Sequence, residues 1–178
     1  MNKHTEMKSG EMTMAVLACG TMGTAILSGV LDCQAAMSRG EVSTDLSATS
    51  QAGETFERVP LPRKYIATVG RDSTAKRLVR TFEEAGHTNV EVFKQNNVEA
   101  VRKSDLVLLC TKPQRVSEFL NEPGMQEALE GKMVVSIAAG TTIAKIKQCV
   151  PSSTKVVRAM PNTPCRIREG MTVISDVK

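Results

Sequence analysis

The chain has 178 residues, room for about one domain with a proper core; aromatics are 3% and Trp is absent, so that core must be aliphatic. A net charge of +4 with no block of like charges argues against a nucleic-acid or membrane surface as the main partner. Five cysteines, an odd number without C-x-x-C, and two histidines without ligand spacing argue against a disulfide framework or a metal centre.

In chain order, Met1 to Glu11 is a polar leader, too polar for a secretory signal, and no apolar run is long enough to span a bilayer; a soluble cytoplasmic protein is expected. His4 lies in this leader, and it and His87 are expected on solvated surface. Met14 to Ala18 is a short apolar run expected as a buried strand, Cys19 to Gly23 turns the chain, and Met22, Ile26, Leu27, Val30 and Leu31 then recur at helical spacing. Met37 to Arg63, rich in Ser, Thr, Gly, Glu and Gln and closed by Pro60 and Pro62, has no apolar period and is expected to be a flexible surface insertion.

Tyr65 to Val69 is the second predicted strand, and Ser73 is a candidate cap for a helix with Ala75, Leu78, Val79, Phe82 and Ala85 on its apolar face, ended by Gly86. Val90 to Phe93 is a third strand, and Asn97 is a candidate cap for a short helix through Val101. Leu106 to Cys110 and Met133 to Ile137 are unbroken apolar runs typical of strands buried on both faces. Helical pieces at Pro113 to Leu120 and Met125 to Leu129 lie between them; Thr141 is the candidate cap of the next helix. Lys155 to Ala159 is a strand, Met160 to Gly170 a loop, and Met171 to Ser175 a last strand.

Strand and helix alternate from residue 12 to 178, which predicts an α/β, doubly wound, Rossmann-type domain with a mainly parallel sheet. Ligands bind such sheets outside the carboxyl ends of the strands. The strand exits are Cys19-Gly20-Thr21-Met22-Gly23, Gly70 to Ser73, Thr111-Lys112-Pro113, Ala138-Ala139-Gly140 and Met160 to Thr163. Gly20 lets backbone approach a pyrophosphate at the start of a helix, where free amides favour an anion, and Gly23 lets helix pack closely on strand. This is an imperfect G-x-G-x-x-G, with Ala18 at the first glycine position; alanine tolerates positive φ poorly, so the turn is expected to avoid it. An acid ending the second strand would bind NAD ribose hydroxyls, but Gly70 and Arg71 stand there. Arg71 and Ser73, with Lys76 nearby, suit a 2′-phosphate, which favours NADP(H) over NAD(H).

The segments A-C-G-T-M-G-T-A-I-L-S-G, T-K-P-Q, V-V-S-I-A-A-G and V-V-R-A-M-P-N-T-P-C-R-I-R-E-G-M-T resemble those of pyrroline-5-carboxylate reductases, and the long insertion resembles the fungal branch. The resemblance implies an oxidoreductase of proline biosynthesis that reduces a cyclic imino acid, 1-pyrroline-5-carboxylate, to L-proline with NAD(P)H. It implies a cofactor turn at Cys19 to Gly23, 2′-phosphate contacts at Arg71 and Ser73, and an adenosine contact at Asn97. It also implies a nicotinamide-side lining of Cys110, Thr111, Lys112, Pro113, Ile137, Ala138, Ala139 and Gly140. Met160, Pro161, Asn162 and Thr163 would line the meeting point of nicotinamide and substrate; for Asn162 a turn-capping role stands equally open, and Lys112 is not assigned as a catalytic acid. Family members continue into a helical domain that builds the homo-oligomer and most of the substrate pocket, including an S-G-x-G-P-A segment; none is found in these 178 residues, so the expectation is the cofactor-binding half, with no catalytic residue assigned. Two alternatives are another oxidoreductase with a similar first domain, such as a β-hydroxyacid dehydrogenase, and a non-catalytic NADP-binding module.

Overall fold

The central strand β1 (Thr13–Leu17) is five residues whose last four are buried. Its odd and even side chains go to opposite faces of the sheet, as the period of two demands. Ala15 and Leu17 enter one core with Val107, Leu109 and Val134, while Met14 and Val16 enter another with Ala67, Val69 and Leu108. A strand buried on both faces must be apolar throughout, which is why no alternation marks it in the sequence. The structure is a computed structural model and describes residues 11–41, 61–162, 164–165 and 169–175.

In chain order β1 is followed by α1 (Thr21–Ser38), β2 (Lys64–Val69), α2 (Asp72–Glu84), β3 (Val90–Lys94), α3 (Asn97–Arg102) and β4 (Leu106–Leu109). A 3-10 turn at Pro113–Arg115 leads to α4 (Val116–Leu120), α5 (Met125–Leu129), β5 (Met133–Ser136), α6 (Ile143–Lys147), β6 (Lys155–Pro161) and β7 (Thr172–Ile174). The sheet order is β3-β2-β1-β4-β5-β6-β7, with β1 to β6 parallel and β7 antiparallel to β6. Leu27 and Leu31 of α1 and Leu78 and Phe82 of α2 fill the Met14/Val16 face; α3 to α6 cover the other. This is the Rossmann-type doubly wound sheet, and its strand order reverses between β1 and β4. Among the described residues no helix is long and apolar enough to cross a membrane.

Several local expectations are corrected. Helix α1 runs on through Met37 to Ser38, so the segment expected as an insertion begins later than its composition suggests. Its far end is anchored: buried Pro62 offers its carbonyl to Gln34 Nε2 at 2.8 Å, and the Tyr65 hydroxyl lies 2.8 Å from both that carbonyl and Gln34 Oε1. Residues 42–60, most of that segment, and the leader through residue 10, including His4, lie outside the described residues. Ser73 does not cap α2; extended Arg71 precedes the helix and its carbonyl takes the amides of Thr74 and Ala75. Asn96 rather than Asn97 precedes α3, because Asn97 is drawn inward and buried. Thr142 rather than Thr141 caps α6, accepting the Lys145 amide at 3.2 Å, while Thr141 is buried. Strand β6 extends through Met160 and Pro161, which were expected in a loop.

His87 is not solvated. Gly86 (φ 77) turns the chain back, the His87 amide bonds the Phe82 carbonyl, and the ring lies 3.1 Å from Asp32 Oδ1 with its side chain only 10% exposed. Of the cysteines, Cys19 is buried but Cys33 is exposed, so the small-hydrophobe reading does not extend to Cys33.

Candidate functional site

The parallel strands β1 to β6 end along one edge, and backbone hydrogen bonds bring successive exits together. The Cys19 amide donates to the Thr68 carbonyl at 2.7 Å, and the Cys110 amide to the Leu17 carbonyl at 3.0 Å. The Ile137 amide donates to the Leu109 carbonyl at 3.1 Å. The structure thereby gathers Cys19 to Gly23, Gly70 to Ser73, Cys110 to Pro113 and Ile137 to Gly140 at the edge where the strand order reverses.

The turn between β1 and α1 is tight. Ala18 has φ 54, in the left-handed region, which corrects the expectation that alanine would force another conformation. It is held there: its amide donates to Thr68 Oγ1 at 3.1 Å, and the Gly20 amide donates to the Ala18 carbonyl at 2.7 Å. A Cβ on Gly20 would meet only the Ala18 carbonyl, at 3.8 Å, so the backbone there is open to a ligand. A Cβ on Gly23 would lie 3.2 Å from Cys110 Sγ and 3.3 Å from Val16 Cγ1, so the close approach of α1 to β1 and β4 needs glycine. Gly20 gives no side-chain cap, the first turn of α1 carries no acid, and the first intrahelical bond to reach Gly20 comes from the Thr24 amide. The amides of Thr21, Met22 and Gly23 therefore face outward, as the orphan donors of a helix start do.

At the exit of β2, Gly70, Arg71 and Ser73 are exposed. Asp72, the acid nearest to that exit, is 2.8 Å from Lys94 Nζ and thus paired away to β3. Around β4 and β5, Thr111 and Ala138 are buried, Cys110, Pro113 and Ile137 half-buried, and Lys112, Ala139 and Gly140 exposed. Burial pushes the Cys19 thiol up to about 11, offset in part by Thr24, and pushes the Cys110 thiol up further, with neighbouring Cys19 adding to the effect. Both stay protonated at neutral pH and do not act as nucleophiles.

Asn97 is brought beneath the turn rather than into the open edge. Its Oδ1 accepts from the Thr68 hydroxyl at 2.7 Å and its Nδ2 donates to Glu122 Oε1 at 2.7 Å. Beyond β6, Asn162 closes the β6–β7 connection: its Oδ1 accepts the Met171 amide at 2.9 Å and its own amide donates to the Met171 carbonyl at 3.2 Å. Met160 is exposed, Pro161 half-buried, and Thr163 lies outside the described residues. Sequence reasoning does not find Thr68 or Glu122; the signal for Thr68 is a small hydroxyl between Ala67 and Val69 in the buried part of β2. Helices α1 and α2 flank a groove of about 370 Å³ that includes Thr24, Ser28, Asp32, Arg77 and Thr81, shares Thr21 with the turn and is also lined by Cys165 of the β6–β7 connection. Among the described residues no group of three or more His, Cys, Asp or Glu is gathered to hold a metal ion.

The sequence model of the family described as "NADP oxidoreductase coenzyme F420-dependent" matches residues 13–140, and the chain belongs to that family. Within this class its likeness is to the amino-terminal NAD(P)-binding domain of pyrroline-5-carboxylate reductases. It is 39% identical over 181 residues to the enzyme of that name from Lophium arboricola, covering 96% of this chain and 54% of that protein. It is 37% identical over 159 residues to the one from Schizosaccharomyces pombe, covering 89% and 51%. The chain thus spans about half the length of the curated relatives it matches. A crystal structure of Plasmodium falciparum pyrroline carboxylate reductase with NADP bound superposes with a TM-score of 0.62 at 20% identity, covering 93% of this chain and 49% of that one, a likeness of fold.

Proposed function

We propose that the chain is the cofactor-binding half of a pyrroline-5-carboxylate reductase and that it binds NADPH along the strand exits. The observation that carries this reading is the open edge at the β1/β4 reversal, onto which the start of α1 and the β2 exit with exposed Arg71 both open, while Asp72 beside Arg71 is paired to Lys94. The amides of Thr21, Met22 and Gly23 would bind the pyrophosphate, the positive end of an 18-residue helix standing behind them. Arg71 and Ser73 would bind the 2′-phosphate. Cys110 to Pro113 and Ile137 to Gly140 would floor the nicotinamide side, and Met160, Pro161, Asn162 and Thr163 would face the substrate; Asn97 would support the adenosine side from beneath the turn, through its bond to Thr68.

Bound there, the nicotinamide would supply a hydride to the carbon of the C=N bond of a five-membered cyclic imine, giving L-proline. These residues hold and orient the cofactor and exclude water from one side of it. Within the described residues no side chain is placed as a proton donor to the imine nitrogen. The groove between α1 and α2 is not the cofactor site on this reading, because its lining comes mostly from the two helices, with only Thr21 and Cys165 contributed by segments that follow strands.

The test measures two quantities on these 178 residues: NADPH affinity by fluorescence, and proline formation from the cyclic imine. NADPH binding with slow or absent turnover is expected, because orientation of the substrate can account for roughly 7–11 kcal/mol of a barrier and these residues supply the cofactor side of it. A folded chain without NADPH binding would overturn the cofactor reading. Turnover matching that of a full-length relative would overturn the assignment to the cofactor half.

A further inference from the structure

We propose that Thr68 is a positioning residue for the cofactor turn: its hydroxyl, oriented through Asn97 by Glu122, holds Ala18 in its left-handed conformation and so sets the direction of the amides that open α1. The inference rests on the reading of the strand exits as the NADPH site. It starts from proton bookkeeping. The Glu122 carboxylate can only accept, so the Asn97 side chain must present Nδ2 to it, at 2.7 Å. That orientation turns Oδ1 toward Thr68, whose hydroxyl donates at 2.7 Å. With its one proton committed, Thr68 Oγ1 has only lone pairs left, and these receive the Ala18 amide at 3.1 Å. Each link fixes the next, and the chain runs from the turn between α4 and α5, through α3 and β2, to the turn after β1.

The location makes the chain consequential. Thr68 and Asn97 are 1% and 8% exposed, so water offers little substitute if a link is removed. Ala18 is an L-residue at φ 54, a conformation it takes at a cost and holds only when its surroundings dictate it. Thr68 grips the turn twice, with its hydroxyl on the Ala18 amide and its carbonyl on the Cys19 amide. Removing the hydroxyl leaves the Ala18 amide without its acceptor. The turn then relaxes toward extended backbone, and the amides of Thr21 and Met22 lose their common aim. A glycine at position 18 would need no such hold, since it adopts positive φ freely. The hydroxyl thus does in this chain what the first glycine does in an ordinary dinucleotide turn.

The experiment compares NADPH titration with hydrogen exchange at the Ala18 amide for the wild type, Thr68→Val, Thr68→Ser, Ala18→Gly and the double variant Ala18→Gly/Thr68→Val. Thr68→Val keeps the shape and loses the hydroxyl; it should weaken NADPH about tenfold, while Thr68→Ser stays within about twofold. In the Ala18→Gly background the valine penalty should shrink to about twofold, a rescue that lost packing alone would not give. Exchange at Ala18 should accelerate in Thr68→Val and in Glu122→Ala, a half-buried position that serves if Thr68→Val does not fold. Unchanged NADPH affinity and unchanged Ala18 exchange in Thr68→Val, or an equal valine penalty in both backgrounds, would overturn the inference. A wild type that protects the Ala18 amide, loses that protection in Thr68→Val and yet fails to bind NADPH would overturn the cofactor reading and leave the positioning role intact.

Discussion

Around β1, the polar groups carried into the fold have partners on neighbouring elements: Thr68 on Asn97, Asn97 on Glu122, and the Ala18 and Cys19 amides on Thr68. At the β6–β7 margin the opposite holds. Among the described residues Arg158 Nε is buried without a hydrogen-bond partner, and Met160, Met171, Val173 and Ile174 are 40%, 71%, 53% and 63% exposed. The first region completes itself from its own chain, as native interiors do. The second presents, among the described residues, an apolar strand edge and a buried guanidinium nitrogen without a partner. The difference teaches where each half of the functional reading rests. On the proposed reading the cofactor is held by the self-contained part of the fold, and the substrate meets the part whose described polar and apolar groups are left open.

The largest expected effect breaks the self-contained region at its tightest point. Gly23→Val places side-chain atoms where a Cβ alone would stand 3.2 Å from Cys110 Sγ and 3.3 Å from Val16 Cγ1. Overpacking of this kind costs about 1–3 kcal/mol, and valine's rotamer restriction in a helix adds a few tenths. Denaturant midpoints should fall accordingly with the slope unchanged, and NADPH affinity should fall with them. Unaltered stability would mean that α1 stands further from β1 and β4 than these distances show.

Arg71→Ala should weaken NADPH by about 1.5–3 kcal/mol, the range for a hydrogen bond to a charged group, and leave NADH nearly untouched. Arg71 is exposed at the β2 exit, and the nearby carboxylate of Asp72 is held by Lys94 rather than by Arg71. Equal losses for both cofactors in calorimetry would remove the 2′-phosphate assignment and leave Arg71 as a solvated charge.

The sequence announces the self-contained region and hides its wiring. Met14 to Leu17 and Leu106 to Leu109 are legible because strands buried on both faces are apolar runs, and Gly20 and Gly23 because a turn and a close approach need them. Hydrophobic period is a local signal, so it also finds α2. Hydrogen bonds across 25 to 50 residues are not local: nothing near Asn97 in sequence discloses Thr68 or Glu122, which is why a cap was expected where a buried link stands. The same limit hid the anchoring of Pro62 by Gln34, 28 residues away. Ala18 was misjudged because φ preference is a property of the residue, whereas its left-handed turn is imposed from β2.

A third, smaller effect sharpens the comparison through the buried thiols. The Cys19 pKa is raised from 9.0 to about 11, chiefly by burial. The folded chain therefore holds this proton more tightly than the unfolded chain. Its contribution to stability is fully present below pH 9 and is lost as the pH rises toward 11. Between pH 8 and 10 the loss should be about 1 kcal/mol. The difference in urea stability between wild type and Cys19→Ala across that range isolates it from other titrating groups, and a pH-independent difference would contradict the burial of Cys19. Exposed Cys33 should be alkylated at pH 8 while Cys19 is spared.

The smallest effect on stability falls at the other region, where the effect on association should be clear. Strand β7 is last in the sheet order and pairs only with β6 among the described strands, and all three of its residues are exposed. Val173→Lys with Ile174→Lys removes apolar surface without opening a core, so stability should stay within about 0.5 kcal/mol, as for surface changes away from special features. Charge on an edge strand opposes pairing between copies. Wild type should therefore associate increasingly with concentration in sedimentation velocity, and the double lysine variant should remain monomeric across the same series while binding NADPH equally well. A wild type that stays monomeric throughout would show that the edge is satisfied as it stands, and loss of NADPH affinity in the lysine variant would show that the two regions are coupled rather than independent.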